Sequence, residues 1–227
     1  MLWGLLIILV LVVVFGPAIW VKWVMRAHSE EIPGMPGNGG QLATHLLKNL
    51  GIDASVEITE VGDHYDPSDK AVRLTRPNYE GKSLTAIAVA AHEVGHAIQH
   101  HQGDRRLAFR TSLVPVADRL ARISTGVIYA APVIGLLTRH PVPFSILVLA
   151  GLSGLVARMM VHLVTLPTEF DASFGKALPL LKEGQYVAPG EDVIITRILR
   201  AAALTYAAAA LADVLNLLRW AALLLRR

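Results

Sequence analysis

The chain has 227 residues, is 53% hydrophobic and 17% charged, and carries a formal charge of +3. A soluble domain is about 45–50% apolar and about 25% charged, so part of this chain belongs in lipid, and disorder, collagen and coiled coil are excluded. The small basic excess, without a basic cluster, reads as membrane-flank bias rather than a nucleic-acid footprint, and the lack of cysteine removes disulfides and thiolate metal sites.

Residues 2–21 (LWGLLIILVLVVVFGPAIWV) form an apolar run long enough to cross the hydrocarbon core as a helix. No Lys or Arg precedes it, Lys22 and Arg26 follow it, and no small-residue cleavage site stands beyond it, which favours an uncleaved anchor over a signal peptide. IPGMPGNGG (32–40) is a turn-rich linker. QLATHLLKNLGI (41–52) has helical spacing, with Gly51 as its stop. SVEITEV (55–61) and KAVRLT (70–75) alternate and predict strands, the second at a sheet edge because it is short and charged. DHYDPSD (63–69) and RPNYEGK (76–82) read as turn and loop. SLTAIAVAAHEVGHAIQHHQG (83–103) predicts a helix from a Ser83 cap to a Gly103 stop.

Residues 123–138 and 142–164, joined by Arg139, His140 and Pro141, predict a transmembrane hairpin. TLPTEFDAS (165–173) predicts a new helix with Thr165 as cap and Pro167 in its first turn. The Ala/Leu-rich run 199–225 carries Asp213, Asn216 and Arg219 on one face, which suits a span facing protein or a helix lying on the bilayer. Lys22, Arg26, Arg105, Arg106, Arg110, Arg119 and Arg122 flank the segment 22–122 and place it in the cytoplasm, whereas Arg226–Arg227 fit that scheme poorly if the last run spans.

The motif that carries chemistry is HEVGH (92–96). His92 and His96, four apart, share a helix face and can bind one zinc ion, and Glu93 stands beside them to take a proton from water. A catalytic zinc needs a third protein ligand. Gln99 and Gln102 occupy the places where HExxHxxGxxH has Gly and His, so the metzincin pattern fails. His100 lies one helical turn too far, and His101 and Asp104 point elsewhere. Glu169 is the strongest candidate: two spans separate it from His96, and an even number returns the chain to the same side. Its rival role is a helix-start carboxylate favoured by the dipole. Arg158, His162 and Glu169 fall near one face if the helix runs on, with His162 read first as a buried structural residue and otherwise as a residue that supports a metal ligand or faces substrate. His64, Tyr65 and Tyr79 are candidate oxyanion donors, each with a structural role preferred. The 70–75 edge strand offers a recognition surface, with backbone hydrogen bonds for an extended peptide.

DHYDP (63–67), AAHEVGHAIQH (90–100), LVPV (113–116) and LPTEFDAS (166–173) resemble the YugP-type neutral zinc metallopeptidases of bacterial membranes, over nearly the whole chain as far as AAALTYAAAAL (201–211). The resemblance implies a membrane-embedded, gluzincin-like peptidase with His92, His96 and Glu169 as zinc ligands and Glu93 catalytic. A more distant resemblance is to the HtpX-like membrane metallopeptidases, whose third-ligand helix carries Asp four residues after Glu. Here Ser173 stands at that place and Asp171 lies two residues after Glu169.

The expected fold is therefore a mostly α membrane protein of three to four transmembrane helices, with a small α+β zincin-like domain whose two- or three-stranded sheet lies beside the HExxH helix. Its expected parts are an anchor (1–24), a catalytic segment (25–122), a hairpin (123–164), a third-ligand segment (165–198) and a C-terminal apolar helix (199–227). The expected function is a zinc-dependent endopeptidase with one catalytic Zn²⁺ and Glu93 as general base. Its site would lie at the cytoplasmic face of the bacterial inner membrane, acting on peptides or proteins, membrane proteins among them, and not on nucleic acid. One alternative is a catalytically silent zinc-binding scaffold or chaperone, which would need no general base. Another is intramembrane proteolysis, for which the roughly eight apolar residues before His92 are too few.

Overall fold

The computed structural model describes residues 2–225, except for the side chains at 2–8, 10, 13–14, 141, 216 and 219–225. The chain divides into two compact units, Ala18–Ala108 with Leu166–Thr205, and Met1–Pro17 with Phe109–Thr165 and Tyr206–Arg227. Helix α1 (Leu2–Ala27) contains the first apolar run. Most side chains in the first half of the expected anchor lie outside the described residues, as do those of the polar-face residues Asn216 and Arg219 and the terminal Arg226–Arg227.

In the first unit, α2 (Gly39–Asn49) starts at a capping box. Asn38 accepts from the Gln41 N–H at 2.8 Å, and the Gln41 side chain accepts from the Asn38 N–H at 3.0 Å. Gly51 follows the helix at φ +65°, a left-handed conformation that glycine adopts without a Cβ penalty. Strands β1 (Ser55–Thr59), β2 (His64–Asp66) and β3 (Ala71–Thr75) form a sheet in the order β1-β3-β2. β3 pairs in parallel with β1 and antiparallel with β2.

This corrects two expectations. The turn cluster 63–69 supplies a strand, and the 70–75 segment is central, so both its hydrogen-bonding edges are taken and no peptide can add to it. Its charge misled because Arg73 is neutralised within the sheet. Its Nε lies 3.1 Å from Glu57, one Nη lies 2.6 Å from Asp66, and the other reaches Asp69. Hydrogen bonds from Ser55 and Arg73 hold the Glu57 carboxyl below its ordinary range. Burial pushes Asp66 up, but the Ser68 and Asp69 N–H groups and Arg73 outweigh it.

RPNYE also forms structure, the short helix α3 (Arg76–Glu80), with proline in its first turn. Helix α4 (Leu84–His101) starts where Ser83 Oγ accepts from the Ala86 N–H at 3.1 Å. Every residue from Leu84 to Gln99 is buried, which explains why the helix is apolar on all sides except at its motif. Around it, Leu46 and Leu47 of α2, Val72 and Leu74 of β3, and Leu181, Ile195 and Leu199 complete the core.

The other helices are longer than the apolar runs alone suggest. α5 (Arg105–Thr138) includes the charged stretch before residue 123, α6 (Pro141–Phe170) follows a turn with Arg139 at φ +51°, and α8 (Asp192–Leu225) begins seven residues before 199. Among the described residues three helical stretches are long and apolar enough to cross a membrane: 105–138, 142–183 and 192–215. In the second unit α5 and α6 approach closely at a glycine pair. A Cβ on Gly151 would lie 2.1 Å from Ile128, and one on Gly154 would lie 1.8 Å from Ser124 Oγ. There too, Arg158 grips the fully buried Asp213, with Nε 3.1 and 3.0 Å from its two oxygens, and His162 Nε2 stands 3.5 Å from the same carboxylate. Arg158 and His162 thus have a structural partner in Asp213, as polar groups in helices apolar enough to cross a membrane require.

The expected new helix at 165 does not form. α6 runs unbroken through Pro167 to Phe170 and passes into a π-helix (Asp171–Ala177) and then α7 (Leu178–Glu183). Thr165 is not a cap, because its hydroxyl donates back to the His162 carbonyl at 2.8 Å, inside the helix.

Candidate metal centre

The site is built from α4 and the end of α6. The four-residue spacing puts His92 and His96 on one side of α4, with ring centroids 4.8 Å apart and planes at 77°. Glu169, in the last turn of α6, meets both. Its Oε2 lies 3.2 Å from His92 Nε2 and 3.4 Å from His96 Nε2. Among the described residues these three form a group whose ligand atoms all fall within 4.8 Å of one another. All three are buried, Glu169 to 1% exposure.

The close approach has a specific cause. The backbone of α4 touches the start of the π-helix at Gly95, where an added Cβ would sit 2.6 Å from the Ala172 carbonyl oxygen. Glycine is therefore the residue that lets the histidine helix and the Glu169 segment pack at backbone distance. Ala is the better helix former by about 1 kcal/mol, so Gly95→Ala would stabilise a helix free of this contact. Here the expected result is the opposite, a loss of about 1–3 kcal/mol from overpacking, together with weaker metal binding as Glu169 is pushed away. Thermal unfolding and metal titration of the purified variant check both.

The outer nitrogens of both rings are engaged. His92 Nδ1 lies 3.0 Å from Ser173 Oγ, whose own proton goes to the Leu199 carbonyl at 3.2 Å, so the hydroxyl accepts from the ring. His96 Nδ1 lies 2.9 Å from Gln99 Oε1. With Nδ1 protonated, each neutral imidazole turns an Nε2 lone pair toward the Glu169 carboxylate. Two lone pairs and an anionic oxygen then converge in a buried space. A divalent cation satisfies all three at once, whereas protonating both rings would bury two cations side by side. Two imidazoles and a carboxylate are also the His₂Glu donor set that suits zinc and leaves a fourth position open.

Other candidates fall elsewhere. His100 is half-buried, with Nδ1 2.8 Å from Tyr65 Oη, and burial raises the Tyr65 hydroxyl above its ordinary range, keeping it protonated. His64 Nδ1 lies 2.8 Å from the Gly62 carbonyl, and the Tyr79 ring closes over Gly40. Asp104 binds Arg106 at 2.8 Å, and His101 is exposed. Glu93 is buried beside His92 on α4. The residues that sequence reasoning undervalued are Ser173, Gln99 and Asp171, which accepts from Gln99 at 2.8 Å. For Gln99 a signal existed, since a residue three beyond His96 lies over it on the same helix face.

The family model described as "Putative neutral zinc metallopeptidase" matches residues 3–225. The chain is 31% identical over 223 residues, 95% of each sequence, to the "Putative membrane protease YugP" of Bacillus subtilis (strain 168). No solved structure matches the chain.

Proposed function

Because this chain belongs to the family described as "Putative neutral zinc metallopeptidase", we propose that it is a membrane-anchored, zinc-dependent endopeptidase. The observation that carries the reading is the convergence of His92 Nε2, His96 Nε2 and one Glu169 oxygen in a buried site next to Glu93. His92, His96 and Glu169 would hold one ion. Zinc, when bound there, supplies a Lewis acid that acidifies water and polarises a carbonyl oxygen. The Glu93 carboxylate takes a proton from the water that attacks the peptide carbonyl and then delivers it to the leaving amine nitrogen. Ser173 and Gln99 hold the two imidazoles with Nε2 turned inward.

The substrates proposed are peptides and proteins at the membrane, membrane proteins among them. The excess of Lys and Arg flanking residues 22–122 supports a cytoplasmic site on the inner membrane of a bacterial cell. The exposed strand available to an extended substrate is β1 or β2, since β3 is occupied on both sides.

Purified full-length protein in detergent should carry about one zinc per chain and cleave casein. A chelator should abolish cleavage, and added zinc should restore it. Cleavage that persists undiminished after the zinc is removed would rule the reading out.

A further inference from the structure

We propose that Gln99 is a positioning residue of the metal centre: its one amide both fixes the tautomer of His96 and ties α4 to the peptide that carries Glu169. The inference rests on the zinc site proposed above and adds a residue outside its three ligands. Gln99 is fully buried, and each polar atom of its side chain has a defined partner. Its Nε2 donates to the Thr168 carbonyl at 2.9 Å and to Asp171 Oδ2 at 2.8 Å.

A backbone carbonyl can only accept, so the amide atom facing Thr168 must be the nitrogen. The other amide atom is then Oε1, which also can only accept, and it lies 2.9 Å from His96 Nδ1. The Nδ1 must therefore carry the proton. A neutral imidazole has one N–H, so Nε2 presents its lone pair, toward Glu169 Oε2 at 3.4 Å. The orientation of the amide, and with it the tautomer, follows from a carbonyl on a distant segment.

The same carbonyl belongs to the residue directly before Glu169. Gln99 thus holds the ring of one ligand through oxygen and the backbone leading to another through nitrogen. Asp171 anchors the second amide hydrogen and stands 3.8 Å from Arg106. No apolar residue can replace this set of contacts. Glutamate would keep the acceptor for His96 but would face Thr168 and Asp171 with an oxygen where a donor is needed.

The test is the zinc affinity of full-length protein in detergent, read by competition with a chelator. Gln99→Leu should bind zinc about 10–100-fold more weakly than wild type. Gln99→Glu should also bind more weakly, because it sets two carboxylates against each other. The double variant Gln99→Glu/Asp171→Asn restores a donor–acceptor pair and should regain about tenfold or more over Gln99→Glu alone. That recovery separates a positioning role from a packing role, which a second substitution would not repair. Equal zinc affinity in wild type and Gln99→Leu, or a double variant no tighter than Gln99→Glu, would overturn the assignment. A wild-type protein that fails to bind zinc would overturn the zinc reading and this assignment together.

Discussion

Glu93→Gln is expected to lose peptidase activity by about 10²–10⁴-fold while still binding about one zinc per chain. The argument is one of roles. His92 and His96 point two nitrogens at Glu169, and this trio is complete without Glu93. Glu93 is nevertheless buried on the same helix, immediately after one of the histidines, where a carboxylate has a large desolvation cost. Its proposed task is to accept a proton and return it, which glutamine cannot do although it fills the same volume. Hydrolysis of casein and metal content, measured on one preparation, separate the two effects. Equal cleavage by wild type and variant would remove Glu93 as the base, and a matching loss of zinc would make it a ligand instead. An inactive wild type with zinc bound would favour the silent scaffold.

The parts of this molecule that local sequence spells out are those set by short-range periodicity. The HExxH helix, its Ser83 cap and the α2 helix are of this kind, because each needs only residues within a turn or two. Glu169 was reached by a different route. Counting spans led to the expectation that it returns to the side of His96, and in the structure its carboxylate meets both rings. What the sequence hid depends on distant partners. Arg73 looks like an edge residue until Glu57, Asp66 and Asp69 arrive from neighbouring segments to neutralise it, so the central strand read as the outer one. Pro167 looks like a helix start, yet the preceding span carries its helix through it. The π-helix after Glu169 has no periodic signature, and it is that segment which sets Ser173 against His92. Ser173 therefore orients a histidine here with a neutral hydroxyl.

Glu169→Ala should lower zinc affinity by more than the roughly 10–100-fold expected from losing an outer-sphere partner, because it removes one of three proposed ligands. Two histidines on one helix remain, and with Ser173 and Gln99 intact their nitrogens still face inward. The variant therefore isolates the carboxylate from the orientation of the rings, which Gly95→Ala does not, since that change shifts a whole segment. Removing the carboxylate also removes the desolvation cost of an almost fully buried charge, so the metal-free variant should still fold. The apolar stretches 105–138 and 192–215 are untouched, and in 142–183 the change replaces a carboxylate by an apolar side chain, so the variant should still require detergent for extraction from membranes. Chelator competition, melting with and without zinc, and membrane extraction read these three consequences. Zinc binding as tight as wild type would defeat the ligand assignment. Weakened binding with the fold and membrane insertion preserved would mean that the carboxylate's contribution lies in the metal and not in the fold, which is the distinction on which a catalytic reading of the site depends.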